Sequence, residues 1–316
     1  MNGVVRNGFS RKISNMKTFY SPAHLGHALT PDSAVELPER AENVRAEIEA
    51  RKIGPILPPD SFSDSIIGKV HRPELIAAFQ GAPPNSAFDA DTPILRGTYA
   101  AARSAVDVAL SAAEVIRNGD KSAFALTRPP GHHASSGNPS GFCYFNNIAI
   151  AAQHLSDAGL RVAILDVDYH HGNGTQKIFY GRNDVFFASL HGDPRYAYPG
   201  VGFADEAGTG AGEGFTRNFP LLPGTDWTRY APALDDAKKS IAAFAPDVLL
   251  VSLGLDTYIA DPIADFRLTD DDYSRMGEAI AGLKTPTLFV FEGGYNLDAI
   301  GPITANVLEG FETAAF

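Results

Sequence analysis

Residues 161–175 read RVAILDVDYHHGNGT, and the fold class turns on them. Val162, Ala163, Ile164 and Leu165 form an apolar run long enough for a strand buried on both faces. The run stops at Asp166, and Asp168, His170 and His171 follow before a glycine-rich turn. On extended backbone alternate side chains point the same way, so Asp166, Asp168 and His170 fall on one face and Val167, Tyr169 and His171 on the other. Two carboxylates and an imidazole on one face make a hard-to-borderline metal site. Turn and capping polars at a strand end would account for one such aspartate, but not for the group. His171, on the far face, reads as a hydrogen-bonded core histidine.

Outward from this strand, short apolar runs alternate with alanine-rich stretches along the chain. Strands are expected at 18–20, 123–126, 162–165, 185–190, 248–253 and 287–291, and helices at 97–116, 146–158, 227–244 and 270–283. That rhythm predicts an α/β domain with a mostly parallel sheet covered by helices on both faces. Residues 191–223, rich in glycine and carrying Tyr196, Tyr198 and Phe203, read as a functional loop, and 83–86 as a second loop.

The chain's 316 residues suffice for one large domain, and no apolar run approaches a membrane span. Residues 1–16 are basic but lack an export-signal core, so they read as a flexible tail, with Met16 as a candidate internal start and 17–316 as the domain. Cytoplasmic location is expected. The single cysteine, Cys143, excludes an intrachain disulfide and a cysteine zinc cage, so any metal must use histidine and carboxylate. A net charge of −11 argues against nucleic acid and favours cationic substrates. A homo-oligomer is compatible with all of this.

The unusual polar residues cluster after the expected strands. Arg128 to His133 follow one, His191 another, Asp256 a third, and Glu292 to Tyr295 a fourth. In open parallel sheets ligands bind beyond the carboxyl ends of the strands, so segments far apart in sequence can converge there.

Six ordered motifs then carry a resemblance: residues 128–133 (RPPGHH), 141–147 (GFCYFNN), 166–174 (DVDYHHGNG), 189–191 (SLH), 256–262 (DTYIADP) and 292–296 (EGGYN). The chain resembles the zinc-dependent histone deacetylase and acetylpolyamine amidohydrolase superfamily, nearest to the bacterial acetylpolyamine amidohydrolases and class II-like deacetylases. The resemblance implies a single deacetylase-like catalytic domain of the arginase/deacetylase fold, with a central sheet of about eight strands. It implies removal of an acetyl or other small acyl group from an amine such as an acetylpolyamine or an acetyl-lysine side chain.

Carried over residue by residue, the resemblance makes Asp168, His170 and Asp256 ligands of a zinc ion, with ferrous iron as the alternative, that polarises an amide carbonyl and activates water. Tyr295 would donate to the developing oxyanion. His132, leaning on Asp166, would be an electrostatic stabiliser. His133, paired with the neutral Asn173, would stay near its ordinary pKa and act as base and acid. Asp166, Asp168, His170, Ser189 and Leu190 would hold a structural potassium ion, with a second monovalent site near Phe179, Arg182 and Val185.

Gly141, Phe142 and Tyr198 would line a narrow channel, with Ile263 at its rim and Asp91 as an acid reading a distal ammonium. The stretch 81–97 is short beside the insertion of polyamine-specific relatives, which leaves room for a broader small-amide hydrolase. Arg40 matches an arginine near an acetate exit channel, although an exposed arginine at a helix start is an equal reading. Two rival classes remain: a ureohydrolase of the same fold, whose dinuclear motif the Asp256–Asp261 spacing resembles, and a silent acyl-amine binding protein.

Overall fold

A strand without a polar face tolerates no exposed side, and the sheet places Val162 to Leu165 at its middle. The computed structural model describes residues 16–30 and 34–315. In chain order the strands are β1 (Lys17–Phe19), β2 (Ile56–Leu57), β3 (Ser86–Ala87), β4 (Pro93–Ile94), β5 (Ser122–Ala125), β6 (Val162–Asp166), β7 (Val185–Gly192), β8 (Thr216–Leu221), β9 (Val248–Leu253) and β10 (Thr287–Phe291). The helices are α1 (Glu39–Arg51), α2 (Pro73–Gly81), α3 (Thr98–Arg117), α4 (Asn147–Asp157), α5 (Asn173–Phe179), α6 (Trp227–Phe244), α7 (Asp270–Ala281) and α8 (Ile300–Ala315). Eight strands form one sheet in the order β2-β1-β5-β10-β9-β6-β7-β8, and every pairing in it is parallel. β3 and β4 make a separate antiparallel hairpin.

β6 lies between β9 and β7, with Val162 opposite both Val248 and Val185. Its side chains divide by alternation. Ala163 and Leu165 join a core with α1, α6, α7 and α8, whereas Val162 and Ile164 join the opposite core with α3 and α4. Local signals fix several helix starts. Asn146 caps α4 by accepting the amide of Ala149 at 2.9 Å, and Thr269 and Asp272 form a reciprocal capping box on α7.

The structure departs from the sequence reading in several places. The stretch 191–223 is not all loop: it holds the end of β7 and all of β8, an edge strand where Pro220 needs no ladder donor. Helices α1, α2, α5 and α8 and the two-residue strands β2, β3 and β4 had not been expected, and α5 opens within the glycine-rich turn. α1 is thick with charge, α2 is short, and Gly301, Pro302 and Gly310 interrupt the pattern of α8. Residues 1–15 of the expected tail lie outside the described residues, while Met16, counted with that tail, is buried in the core. Arg40 is fully buried rather than exposed.

Candidate active site beyond the strand ends

After Asp166 the chain leaves the sheet, and its own carboxylates shape the loop. Asp166 Oδ1 accepts the amide of Asp168 at 3.1 Å, and Asp168 Oδ1 accepts the amide of His170 at 2.8 Å. Each is an aspartate closing on the backbone two residues ahead. The two turns aim Asp168 and His170 at Asp256, just beyond β9, whose Oδ1 takes the amide of Tyr169 at 2.8 Å. One ligand atom from each of Asp168, His170 and Asp256 lies within 4.8 Å of the others, and all three side chains are buried. His170 Nδ1 stands 2.8 Å from Asp256 Oδ2 and 3.4 Å from Asp168 Oδ1. Asp166 Oδ2 meets His132 Nδ1 at 3.0 Å, the partner that the resemblance gave it, and Asp168 Oδ2 lies 3.8 Å from Nε2 of the same ring.

This cradle fits a divalent cation. Burial pushes Asp256 up to about 7, with the Asp168 charge adding to it. Burial also opposes charge on His170, yet Asp168 and Asp256 hold it up to about 10. Two carboxylates thus compete for one imidazolium where a metal would satisfy both. Gly254 and Gly293 keep the space open: a Cβ on either would run into the Asp168 carboxylate, and one on Gly293 would also meet Asp256.

His132 and His133 are neighbours with opposite surroundings. Burial works against a charge on His132, but Asp168 and Asp166 overcome it and raise the imidazole to about 10. His133 is pushed well below its ordinary range by burial and by the cationic His132 and His170. An imidazole near its ordinary pKa was expected there. Asn173 is a neutral partner, but the lack of water and the charged His132 beside it outweigh it. His133 Nδ1 donates to Asn173 Oδ1 at 2.7 Å, so the Nε2 lone pair is the free one.

Behind this pair, Glu292 Oε2 accepts the amides of Gly131 at 2.6 Å and His132 at 3.1 Å. Glu292, His132 and Cys143 form a second buried group with metal-ligating atoms. Its members have other work, since His132 is held by Asp166 and Glu292 braces the histidine loop.

A cavity of about 560 Å³ opens from the cradle to the surface. His133, His170 and Tyr295 line its floor, Gly141, Phe142 and Tyr198 its sides, and Ile263 and Asp91 its outer part. The slot is tight at Gly141, where a Cβ would strike the His133 ring and press on Tyr198. Tyr198 meets the His133 ring edge-to-face at 5.1 Å, and Phe142 lies 5.7 Å from the Tyr295 ring. Asp91 is exposed in the turn between β3 and β4. Leu29, Ala34, Val35 and Pro93 also line the cavity. Sequence reasoning missed them because apolar residues in irregular segments carry no period.

Asp261 also escaped that reading as a support. Its Oδ2 accepts the amide of Tyr295 at 2.8 Å and its Oδ1 that of Ile263 at 3.0 Å. It holds the floor and rim of the slot and stands outside the Asp168–His170–Asp256 group.

Ser189 and Leu190 are buried in β7, with Ser189 in register with Asp166. His191 Nε2 donates to the Gly202 carbonyl at 2.8 Å, so its Nδ1 accepts from the Ser189 hydroxyl, also at 2.8 Å. The Ser189 oxygen therefore keeps lone pairs for another partner, as a cation ligand must. Near the expected second monovalent site, the Arg182 side chain bonds Asp184 and Gln153 and lies over the Phe179 ring. His171 Nε2 donates to Gln176 and Asn218 in the core, on the side away from the cradle.

Comparison with known proteins agrees with this geometry. A histone deacetylase domain matches residues 34–311. Acetylpolyamine amidohydrolase 1 of Pseudomonas aeruginosa is 47% identical over 318 residues, covering 89% of this chain and 92% of that protein. Acetylpolyamine amidohydrolase 2 of the same organism is 44% identical over 342 residues, covering 94% and 99%. The crystal structure of an acetylpolyamine aminohydrolase from Burkholderia pseudomallei superposes with a TM-score of 0.89 at 34% identity, covering 95% of this chain and 99% of that one. With a parallel sheet, a converged set of strand-end carboxylates and imidazoles and a domain match over most of its length, the chain belongs to the histone deacetylase domain family.

Proposed function

We propose that this protein is a metal-dependent amidohydrolase that removes an acetyl or similarly small acyl group from a linear amine, an acetylpolyamine or an acetyl-lysine side chain. The observation that carries the reading is the opening of one slot onto the Asp168–His170–Asp256 cradle, His133 and Tyr295 together. Asp168, His170 and Asp256 would hold a zinc-class divalent ion, zinc or ferrous iron, which when bound supplies Lewis-acid polarisation of the amide carbonyl and activation of water.

The protein's own residues do the rest. His133, neutral and with its Nε2 lone pair free, takes a proton from the attacking water and returns it to the leaving amine. His132 keeps its charge against Asp166 and stabilises negative charge beside it. Burial pushes the Tyr295 phenol well above its ordinary pKa, so it stays protonated and donates to the oxyanion. Gly141, Phe142 and Tyr198 exclude branched substrates, Ile263 packs at the rim, and the exposed Asp91 draws a distal ammonium. A potassium ion bound by Ser189, Leu190 and the backbone of Asp166, Asp168 and His170 would brace the loop beneath the cradle.

The relatives named for acetylpolyamines and the net charge of −11 support a cationic amine substrate over nucleic acid. No helix among the described residues is long and apolar enough to cross a membrane, and with a single free cysteine this supports a cytoplasmic small-molecule enzyme. A broader small-amide hydrolase is the second reading, favoured by the apolar Leu29, Ala34 and Val35 in the slot.

The test is acetate release from metal-loaded protein on a panel of acetylpolyamines, acetyl-lysine peptides and simple amides, with metal content measured in parallel. Acylated amines should be the best substrates. A metal-loaded protein that releases no acid from any of them would be a silent binder, and the proposal would fall.

A further inference from the structure

Two buried arginines and one buried glutamate lie behind the slot, outside the catalytic cluster. Glu36 and Arg40 are fully buried and Arg128 is nearly so. One oxygen of Glu36, Oε1, accepts from Arg40 Nη1 at 2.8 Å and from Arg128 Nε at 2.9 Å. Burial disfavours the Glu36 charge, but Arg128 and Arg40 hold the carboxyl below its ordinary range.

The two guanidiniums face different parts of the site. Arg128 donates to the carbonyls of His24 at 2.9 Å, His27 at 3.0 Å and Glu36 at 3.1 Å. It therefore grips both ends of the segment that sends Leu29, Ala34 and Val35 into the slot. Arg40 donates to the carbonyls of Glu292 and Gly294, and its guanidinium lies 4.6 Å from the centre of the Tyr295 ring. It grips the turn that presents Tyr295. Among the described residues, Glu36 is the one side chain bonded to both arginines.

We propose that Glu36 is a positioning residue that joins the apolar wall of the slot to the Tyr295 turn, so that the wall facing a bound substrate and the tyrosine hydroxyl keep a fixed separation. Charge makes the joint strong. Without the carboxylate, two guanidiniums remain buried with their mutual repulsion uncompensated, and each is free to shift independently. The consequence for acyl choice rests on the amidohydrolase reading above; the mechanical coupling does not.

Hydrogen exchange followed by mass spectrometry tests the coupling on the full chain. The Leu29 amide bonds His27, that of Ala34 bonds Thr30, and that of Leu37 bonds Val35, whereas the Tyr295 amide bonds Asp261. In Glu36→Gln, exchange at both sets should rise together, by about tenfold or more, as expected for local opening. In Arg128→Lys, which keeps the charge but loses the planar fork, the wall amides should exchange faster. Glu36→Gln with either set at its wild-type rate overturns the proposal. Should that variant fail to fold, Arg128→Lys decides, and unchanged wall amides overturn it.

A kinetic arm reads selectivity. With metal content unchanged, Glu36→Gln should lower kcat on an acetylated amine about tenfold and narrow the preference for acetyl over butyryl amides by a similar factor. A residue needed only for folding would lower both rates alike and leave the ratio untouched, and that result overturns the positioning role. If the wild-type protein hydrolyses no acyl amine, the amidohydrolase reading fails while the exchange measurement still judges the joint.

Discussion

The floor and the rim of the slot are built on different physics. On the floor, Asp168 and Asp256 are inaccessible to solvent and His133 is only 5% exposed, so each group's charge is set by its neighbours. At the rim, Tyr198 is 46% exposed and Ile263 39%, and Asp91 sits in an open turn where water screens its charge. Floor residues are braced from several elements: Asp168 takes the amides of His170 and Gly293, Asp261 that of Tyr295, and Glu292 those of Gly131 and His132. The contrast teaches that charge is set by neighbouring groups on the floor and by water at the rim.

The strongest challenge to that contrast is Asp256→Ala. It removes a cradle carboxylate and the acceptor for the Tyr169 amide, so metal binding and turnover should both fall to background, as metal analysis and acetate release would record. Full metal stoichiometry with near-normal activity would remove the cradle from the mechanism. Next, Tyr295→Phe deletes one donor and little volume. A lost oxyanion donor costs about 2.7–4 kcal/mol, so kcat should drop about 100-fold or more while substrate still binds. A loss below about threefold would clear Tyr295 of a catalytic role.

A smaller effect at neutral pH is expected of Asn173→Asp, which places a carboxylate against His133 Nδ1. The added charge favours the imidazolium, and a protonated His133 cannot take a proton from water. The His133 pKa therefore rises from its depressed value, and the acidic limb of kcat/KM should move to higher pH with metal content unchanged. A limb that stays put or moves down, with the metal still bound, would reassign the two histidines. At the rim, Asp91→Asn should raise KM for a cationic amine by no more than about fivefold, the value of an exposed charge pair of up to about 1 kcal/mol. The difference should vanish in high salt. A loss as large as that of Tyr295→Phe would erase the distinction between floor and rim.

How much of this was legible in the chain depended on whether a residue's neighbours in sequence were also its neighbours in space. The run at 162–165 and the polar residues after each strand announced a parallel sheet with its site at one end, because burial on both faces leaves a continuous apolar mark. Alternation brought Asp168 and His170 together, whereas the pairing of Asp166 with His132 came from the resemblance, because those two lie 34 residues apart in the chain. β8 was hidden by Pro220 and flanking glycines, signals of irregular backbone that an edge strand tolerates.

The sequence by itself determined the βαβ alternation and the ordered motifs, which rest on local period and spacing, and the resemblance those motifs carry supplied the candidate ligands. Only the tertiary structure decided how burial holds His133 below its ordinary range, the use of Asp261 as a brace, the burial of Arg40 and the walling of the slot by Leu29, Ala34 and Val35. Each depends on groups tens to hundreds of residues apart meeting where water is excluded. A charge's cost and its partner are properties of that meeting, and no window of sequence contains them.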